Sequence, residues 1–255
     1  MSENLFTENV DEYDKYRLPY NSDAISETIK YISNVIKIDT VADIGAGTGI
    51  LTHQLLKYKF NKYYAVEPNI KMQECSINKD KKSKIIHLNN MSNKTEIPSN
   101  TIDVIFVGTA IHWFEPQSTL KEFKRILKPG GFLVLLRGSD ASKAYSDVSD
   151  LYTKYREYRV KDNEMVGRYE KGMENYSDKY YTIMSRKPVI VSIDQFLGFI
   201  LSFSVSPKKS NPIYDKFVND VKHIYNKYKQ DNGLTLLSKT TILISNNLHK
   251  LNKKK

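Results

Sequence analysis

Short apolar runs alternate along this chain with stretches whose apolar residues recur every three or four positions. Residues 40–44, 62–66, 84–88, 102–108 and 132–136 are short, apolar and β-prone, and they predict five strands. Ile102 to Val107 is almost uninterrupted, as a strand buried on both faces requires. Ile25, Ile29, Ile32 and Ile36 form one helical stripe, which Asn21 or Ser22 can cap. A second helix is predicted over 48–58. Leu120, Phe123, Ile126 and Leu127 form another stripe, which Pro129-Gly130-Gly131 stops. Strands alternating with helices predict an α/β fold with a parallel sheet and right-handed crossovers. Near the end, Leu234 to Ile244 has the β-branched content of a terminal strand or hairpin.

Residues 138–206 do not fit that minimal sheet. They carry Tyr145, Tyr152, Tyr155, Tyr158, Tyr169, Tyr176, Tyr180 and Tyr181 among charged residues. They read as a mostly helical insertion after strand 5. Two roles fit it: a lid over the strands' C-terminal ends, where open α/β sheets bind ligands, or a buttress with tyrosines packed on the sheet flank. A length of 255 residues suits a single domain, 1–255, carrying this insertion.

The first strand runs into V-A-D-I-G-A-G-T-G-I-L, residues 41–51. Glycine at 45, 47 and 49 leaves no side chain between backbone and ligand and permits positive φ. The helix that follows points its free N–H groups at the same place. This arrangement predicts a nucleotide-like ligand. A dinucleotide fingerprint would put a third glycine at position 50, where Ile50 stands. The second strand ends in Glu67-Pro68-Asn69, 18 residues beyond Gly49, where an acid can accept hydrogen bonds from both hydroxyls of a ribose. The third leads into Asn89-Asn90-Met91, and the fourth leaves through Gly108-Thr109-Ala110 into His112-Trp113-Phe114.

The D-x-G-x-G-x-G spacing from Asp43, A-I-H-W-F-E-P at 110–116 and R-I-L-K-P-G-G at 125–131 together resemble the class I methyltransferases. These bind S-adenosylmethionine (SAM) and release S-adenosylhomocysteine (SAH). The similarity is greatest to the small-molecule branch of ubiquinone/menaquinone-type and trans-aconitate-type enzymes. Phe6, Tyr13, Tyr16, Arg17, Pro19 and Tyr20 resemble that branch's entry segment, 1–20, although Leu18 separates Arg17 from Pro19. The resemblance covers residues 6–140 well. It implies a Rossmann-like sheet of seven strands, mostly parallel, in the order 3-2-1-4-5-7-6, with helices on both faces. It implies SAM contacts from Asp43, Gly45, Ala46, Gly47, Gly49, Glu67, Pro68, Asn90, Met91, Thr109 and Tyr13. Arg17 joins Tyr13 over the methionine end.

For the acceptor, His112 has the best address, beside the expected methyl. Its imidazole titrates near neutrality and can take a proton or hold the acceptor, or it can orient its own loop. Trp113 is a pocket wall or core. Arg137 leaves strand 5 at the same edge, where it pairs with an anionic substrate or meets solvent. Strand 4 ends without the D/N-P-P-Y/F of methyltransferases acting on exocyclic base amines. The leading expectation is O-methylation of a small molecule, plausibly a carboxylate. Methylation at carbon or nitrogen of a small metabolite, or a catalytically silent SAM-binding regulator, stays open.

The net charge of +10 raises a nucleic-acid reading. The charge is dispersed over loops and over the tail at 250–255, which suits a solvated surface instead. One cysteine, Cys75, excludes an internal disulfide. The histidines show no metal-site spacing. No apolar run reaches the ~20 residues of a membrane span. With no signal-peptide core in the N-terminal residues, these features predict a cytoplasmic monomer or homodimer.

Overall fold

In the computed structural model, residues 10–158 and 172–249 are described. Phe6, Tyr169 and the lysine-rich tail lie outside them. Seven strands form one sheet: β1 (Thr40–Ile44), β2 (Lys62–Val66), β3 (Ile85–Leu88), β4 (Ile102–Gly108), β5 (Leu127–Asp140), β6 (Tyr181–Val191) and β7 (Leu234–Ser245). Their order is β3-β2-β1-β4-β5-β7-β6. β1 to β5 pair in parallel, while β7 runs antiparallel to both β5 and β6. This is the Rossmann-like sheet that the resemblance implied.

The helices are α1 (Val10–Tyr16), α2 (Ser22–Ser33), α3 (Ile50–Leu55), α4 (Ile70–Lys79), α5 (Pro116–Ile126), α6 (Lys143–Lys154), α7 (Ile193–Leu201) and α8 (Tyr214–Tyr228). Burial follows the sequence stripes. Ile25, Ile29 and Ile32 of α2 pack on Val104, Val134 and Ile242 on one face of the sheet. Leu120, Phe123 and Ile126 of α5 pack on Ile105, Leu133 and Leu135 on the other. Each such side chain contributes roughly 1.5–3 kcal/mol on leaving water. A third cluster joins α6, α7 and α8 to Leu234 and Leu236 at the start of β7.

Three expectations need correction. The helix predicted over 48–58 is shorter: α3 is followed by a 3-10 turn at Leu56–Tyr58, which ends at Lys59 in the left-handed region. Strand 5 is longer than 132–136, because α5 already ends at Ile126 and Leu127 pairs with Ile102. Among its described residues the segment 138–206, expected to be mostly helical, also contains all of β6. Pro188 and the interleaved charges conceal that strand in the sequence. An edge strand tolerates both, because one row of its N–H groups needs no partner. Tyr152, Tyr155 and Tyr176 are buried as packing residues, while Tyr180 and Tyr181 are exposed.

Candidate functional site

The turn between β1 and α3 lies at the C-terminal ends of the parallel strands. Gly45, Gly47 and Gly49 all have φ between +57° and +78°. Their surroundings separate their roles. A Cβ at Gly45 would lie 2.6 Å from the Ala110 Cβ, and one at Gly49 would lie 2.2 Å from the Ser76 Oγ. Those two glycines serve packing against the β4 exit and α4. At Gly47 the nearest atom would be the Met72 sulfur at 3.8 Å. Gly47 therefore faces space that a ligand can fill.

Glu67, at the tip of β2, is buried and fixed by the backbone. Its Oε2 accepts from the Gly47 N–H at 2.8 Å, and its Oε1 accepts from the Asn69 N–H at 2.9 Å. Burial raises its carboxyl pKa, and these two donors oppose that rise. The Asn89 amide donates to the carbonyls of Glu67 and Pro68 and so holds the strand tip. Asn90 donates to the Thr95 carbonyl, and Met91 is exposed. Ile70, the first residue of α4, is exposed as well.

A cleft opens beside the turn, lined by Tyr13, Asp43, Gly45, Ala46, Gly47 and Thr109 among the residues expected from sequence. Gly49 is not on this lining. Asp43 is buried, and burial pushes its carboxyl up to about 7. Its Oδ2 accepts from the Thr52 hydroxyl at 2.6 Å, whereas its Oδ1 is buried with no partner. The Thr48 hydroxyl in the same lining is also buried and unpartnered. Two orphaned polar atoms beside an open glycine fit a ligand that brings its own hydrogen-bonding groups. The amino-acid end of SAM, with its ammonium and carboxylate, has that chemistry, and Glu67 suits its ribose.

Sequence reasoning missed several residues here. Tyr20 is half-buried and its hydroxyl lies 2.9 Å from the Thr109 Oγ1. Thr109 itself adopts φ +52°, a strained conformation for a β-branched residue. The Gln54 side chain bonds the Tyr20 backbone through both its oxygen and its nitrogen. Phe199 on α7 and Ser139 on β5 complete the lining. Tyr20 stood in the entry segment without a role. Phe199 sits in an evenly apolar helix that gave no signal.

Above the cleft, His112 occupies a 3-10 turn at Ile111–Trp113 and stacks obliquely on Trp113. Burial, then the charges of Arg137 and Arg17, lower its pKa to about 4. Arg17 holds its guanidinium over the rings of Phe203, at 4.1 Å, and Tyr13, at 4.9 Å. The same two arginines act on the Tyr145 hydroxyl, whose pKa burial raises. Four chain segments thus converge on a cationic mouth: the stretch after α1, the β4 exit, β5 and α6. Among the described residues there is no cluster of His, Cys, Asp or Glu able to hold a metal, and no helix long and apolar enough to cross a membrane.

Residues 42–135 match a family model described as a methyltransferase domain. A candidate methyltransferase of Dictyostelium discoideum is 28% identical over 205 residues, covering 75% of this chain and 73% of its own. A malonyl-acyl-carrier protein O-methyltransferase of Brevibacillus brevis is 31% identical over 137 residues, covering 51% of this chain and 49% of its own. The match spans about half the length of several curated relatives. A solved structure of a candidate type II methyltransferase from Anaeromyxobacter dehalogenans superposes with a TM-score of 0.66 at 14% identity. That superposition covers 92% of this chain and 98% of the other, and it shows the fold.

Proposed function

The chain is a SAM-dependent methyltransferase of class I fold, and from that premise we propose that it methylates a carboxylate oxygen of a small acid. The observation that carries this reading is the pair of guanidinium groups around His112. A general base works best with a pKa near the operating pH. His112, lowered to about 4, is a weak base at neutrality. A hydroxyl or carbon acid would need a stronger one. A carboxylate arrives already ionised and needs none, and Arg17 and Arg137 supply the charge to hold it. The relative from Brevibacillus brevis, named for O-methylation, supports the same class of reaction.

SAM supplies an activated methyl on its sulfonium. The residues fit to hold it are Gly47 with its open face, Glu67 for the ribose, and Asp43 and Thr48 for the amino-acid end. Tyr13 and Thr109 line the same cleft. The rest of the work is positioning. Arg17 and Arg137 orient the acceptor, the neutral His112 contacts it without adding charge, and Tyr20 fixes the Thr109 turn beside it. Proximity and orientation of this kind supply on the order of 7–11 kcal/mol at the favourable limit.

The test is methyl transfer from SAM to a panel of carboxylic acids, alcohols, phenols and amines, with SAH release and product mass both followed. Base-labile methyl esters from the acids alone are expected. Methylated nitrogen or carbon would replace the reading. Tight SAH binding with no product from any acceptor would point to the silent regulator.

A further inference from the structure

The carboxylate reading leaves open what holds the rest of the acceptor, and the sheet face beside Arg137 answers that question if the reading is right. On β5, β7 and β6, Arg137 pairs with Thr241, and Thr241 pairs with Met184. Ser139, Lys239 and Arg186 form the next row. Side chains alternate between faces along a strand. Ile183 and Ile242 belong to the core beneath α2, so Met184 and Thr241 point the other way. Among the described residues no element covers the outer end of this face. Met184 is 50% exposed and Tyr180 is 43% exposed. A groove runs here past Arg137, Tyr145, Lys239, Leu243 and Met184. Ser139 lines both this groove and the cofactor cleft, so the two adjoin at that residue.

The charge along the groove is graded. Arg137 and Lys239 lie at the end next to the cleft. Met184, Leu243 and Tyr180 make the far end apolar. We propose that this groove binds the body of the acceptor, and that the acceptor is a monocarboxylic acid with an apolar chain. Its carboxylate lies at Arg137 beside Ser139, and its chain crosses β7 toward Met184. Two strand spacings separate Arg137 from Met184, about 10 Å, which a chain of roughly eight carbons spans. A second carboxylate would fall at the apolar end by Met184 and Leu243, which selects against diacids.

The experiment titrates the SAH-loaded protein calorimetrically with straight-chain acids from butanoate to decanoate, and with octanedioate as the dianion. Affinity should rise about two- to fourfold per methylene, as burial of apolar chain requires, and level off near eight carbons. Octanedioate should bind at least about tenfold more weakly than octanoate. Met184→Glu should lower octanoate affinity about tenfold or more, and Leu243→Asp should act in the same direction. SAH affinity reports whether either variant is folded. A flat chain-length series, a dianion bound as tightly as octanoate, or folded variants that both keep octanoate would overturn the proposal. The two readings fail separately. Length-dependent binding with no ester formed under turnover keeps the groove and removes the carboxylate chemistry. Ester formation that ignores chain length does the reverse.

Discussion

The glycine turn and the mouth above it bind by opposite means. The turn spans seven residues, from Asp43 to Gly49, and offers backbone: an N–H held by Glu67 and a face with no side chain. The mouth is made of side chains. Arg17, His112, Arg137 and Tyr145 come from four separate segments and meet only because the sheet brings them together. A local turn can be specified by local residues. A constellation of distant side chains depends on every element between them.

The largest expected effects separate two glycines within the turn itself. Gly47→Val and Gly49→Val share a left-handed backbone, which costs about 1–2 kcal/mol for a residue with a Cβ. Only Gly49→Val also drives a side chain into Ser76 and His53. Overpacking adds about 1–3 kcal/mol. Gly49→Val should therefore lower the melting temperature by roughly 10 °C. Gly47→Val should melt closer to wild type yet lose SAM affinity by about 100-fold or more, near 3 kcal/mol. A Gly47→Val protein that binds SAM normally would mean the open side of the turn does not face the ligand.

At the mouth, Arg137→Ala should raise the acceptor KM by about 1.5–3 kcal/mol, or roughly 10- to 150-fold, with SAM affinity little changed. Arg137 is the leading charged neighbour acting on His112. Its removal should also move the imidazole titration upward from about 4, which NMR can follow. An unmoved KM would detach Arg137 from the acceptor. On the cofactor side, Glu67→Ala should weaken SAM binding by about 1–3 kcal/mol through lost charged hydrogen bonds. The acceptor KM serves as the contrast. If the acceptor term moves more than the SAM term, the division between turn and mouth is wrong.

The same division explains what the sequence made legible. β1, β2 and β4 fall where the apolar runs predicted them, because a strand buried on both faces leaves an uninterrupted signal. Gly47 and Glu67 could be set at the same end of the sheet from spacing, since one helix and one strand separate them, whereas Asp43 came from the resemblance. β6 could not be read, because its outward row carries Thr182, Met184, Arg186 and Pro188, which blur its alternation. The Tyr20–Thr109 contact links positions 89 apart, and no local pattern encodes such a pairing. Phe199 and Phe203, which shape the mouth around Arg17 and Tyr145, look in sequence like ordinary core residues.

The smallest expected effect links proton uptake to the turn. The Asp43 carboxyl lies at about 7 because burial raises it, with the Thr52 hydroxyl opposing and the charge of Glu67 adding. The ordinary value is 3.8. A raised folded-state pKa favours the protonated form, so this group's contribution to stability is full below 3.8 and is lost as pH climbs to about 7. A cationic ligand favours the carboxylate instead. SAM binding should therefore release a proton below pH 7, with affinity rising by at most about tenfold per pH unit and flattening above 7. Calorimetry in two buffers of different ionisation enthalpy measures that proton directly. Asp43→Asn should abolish both the release and the slope. The mouth's His112, lowered to about 4, is neutral between about pH 5 and 7 and adds nothing there. A slope that survives Asp43→Asn would assign the coupling to another group and separate Asp43 from the cofactor's charge.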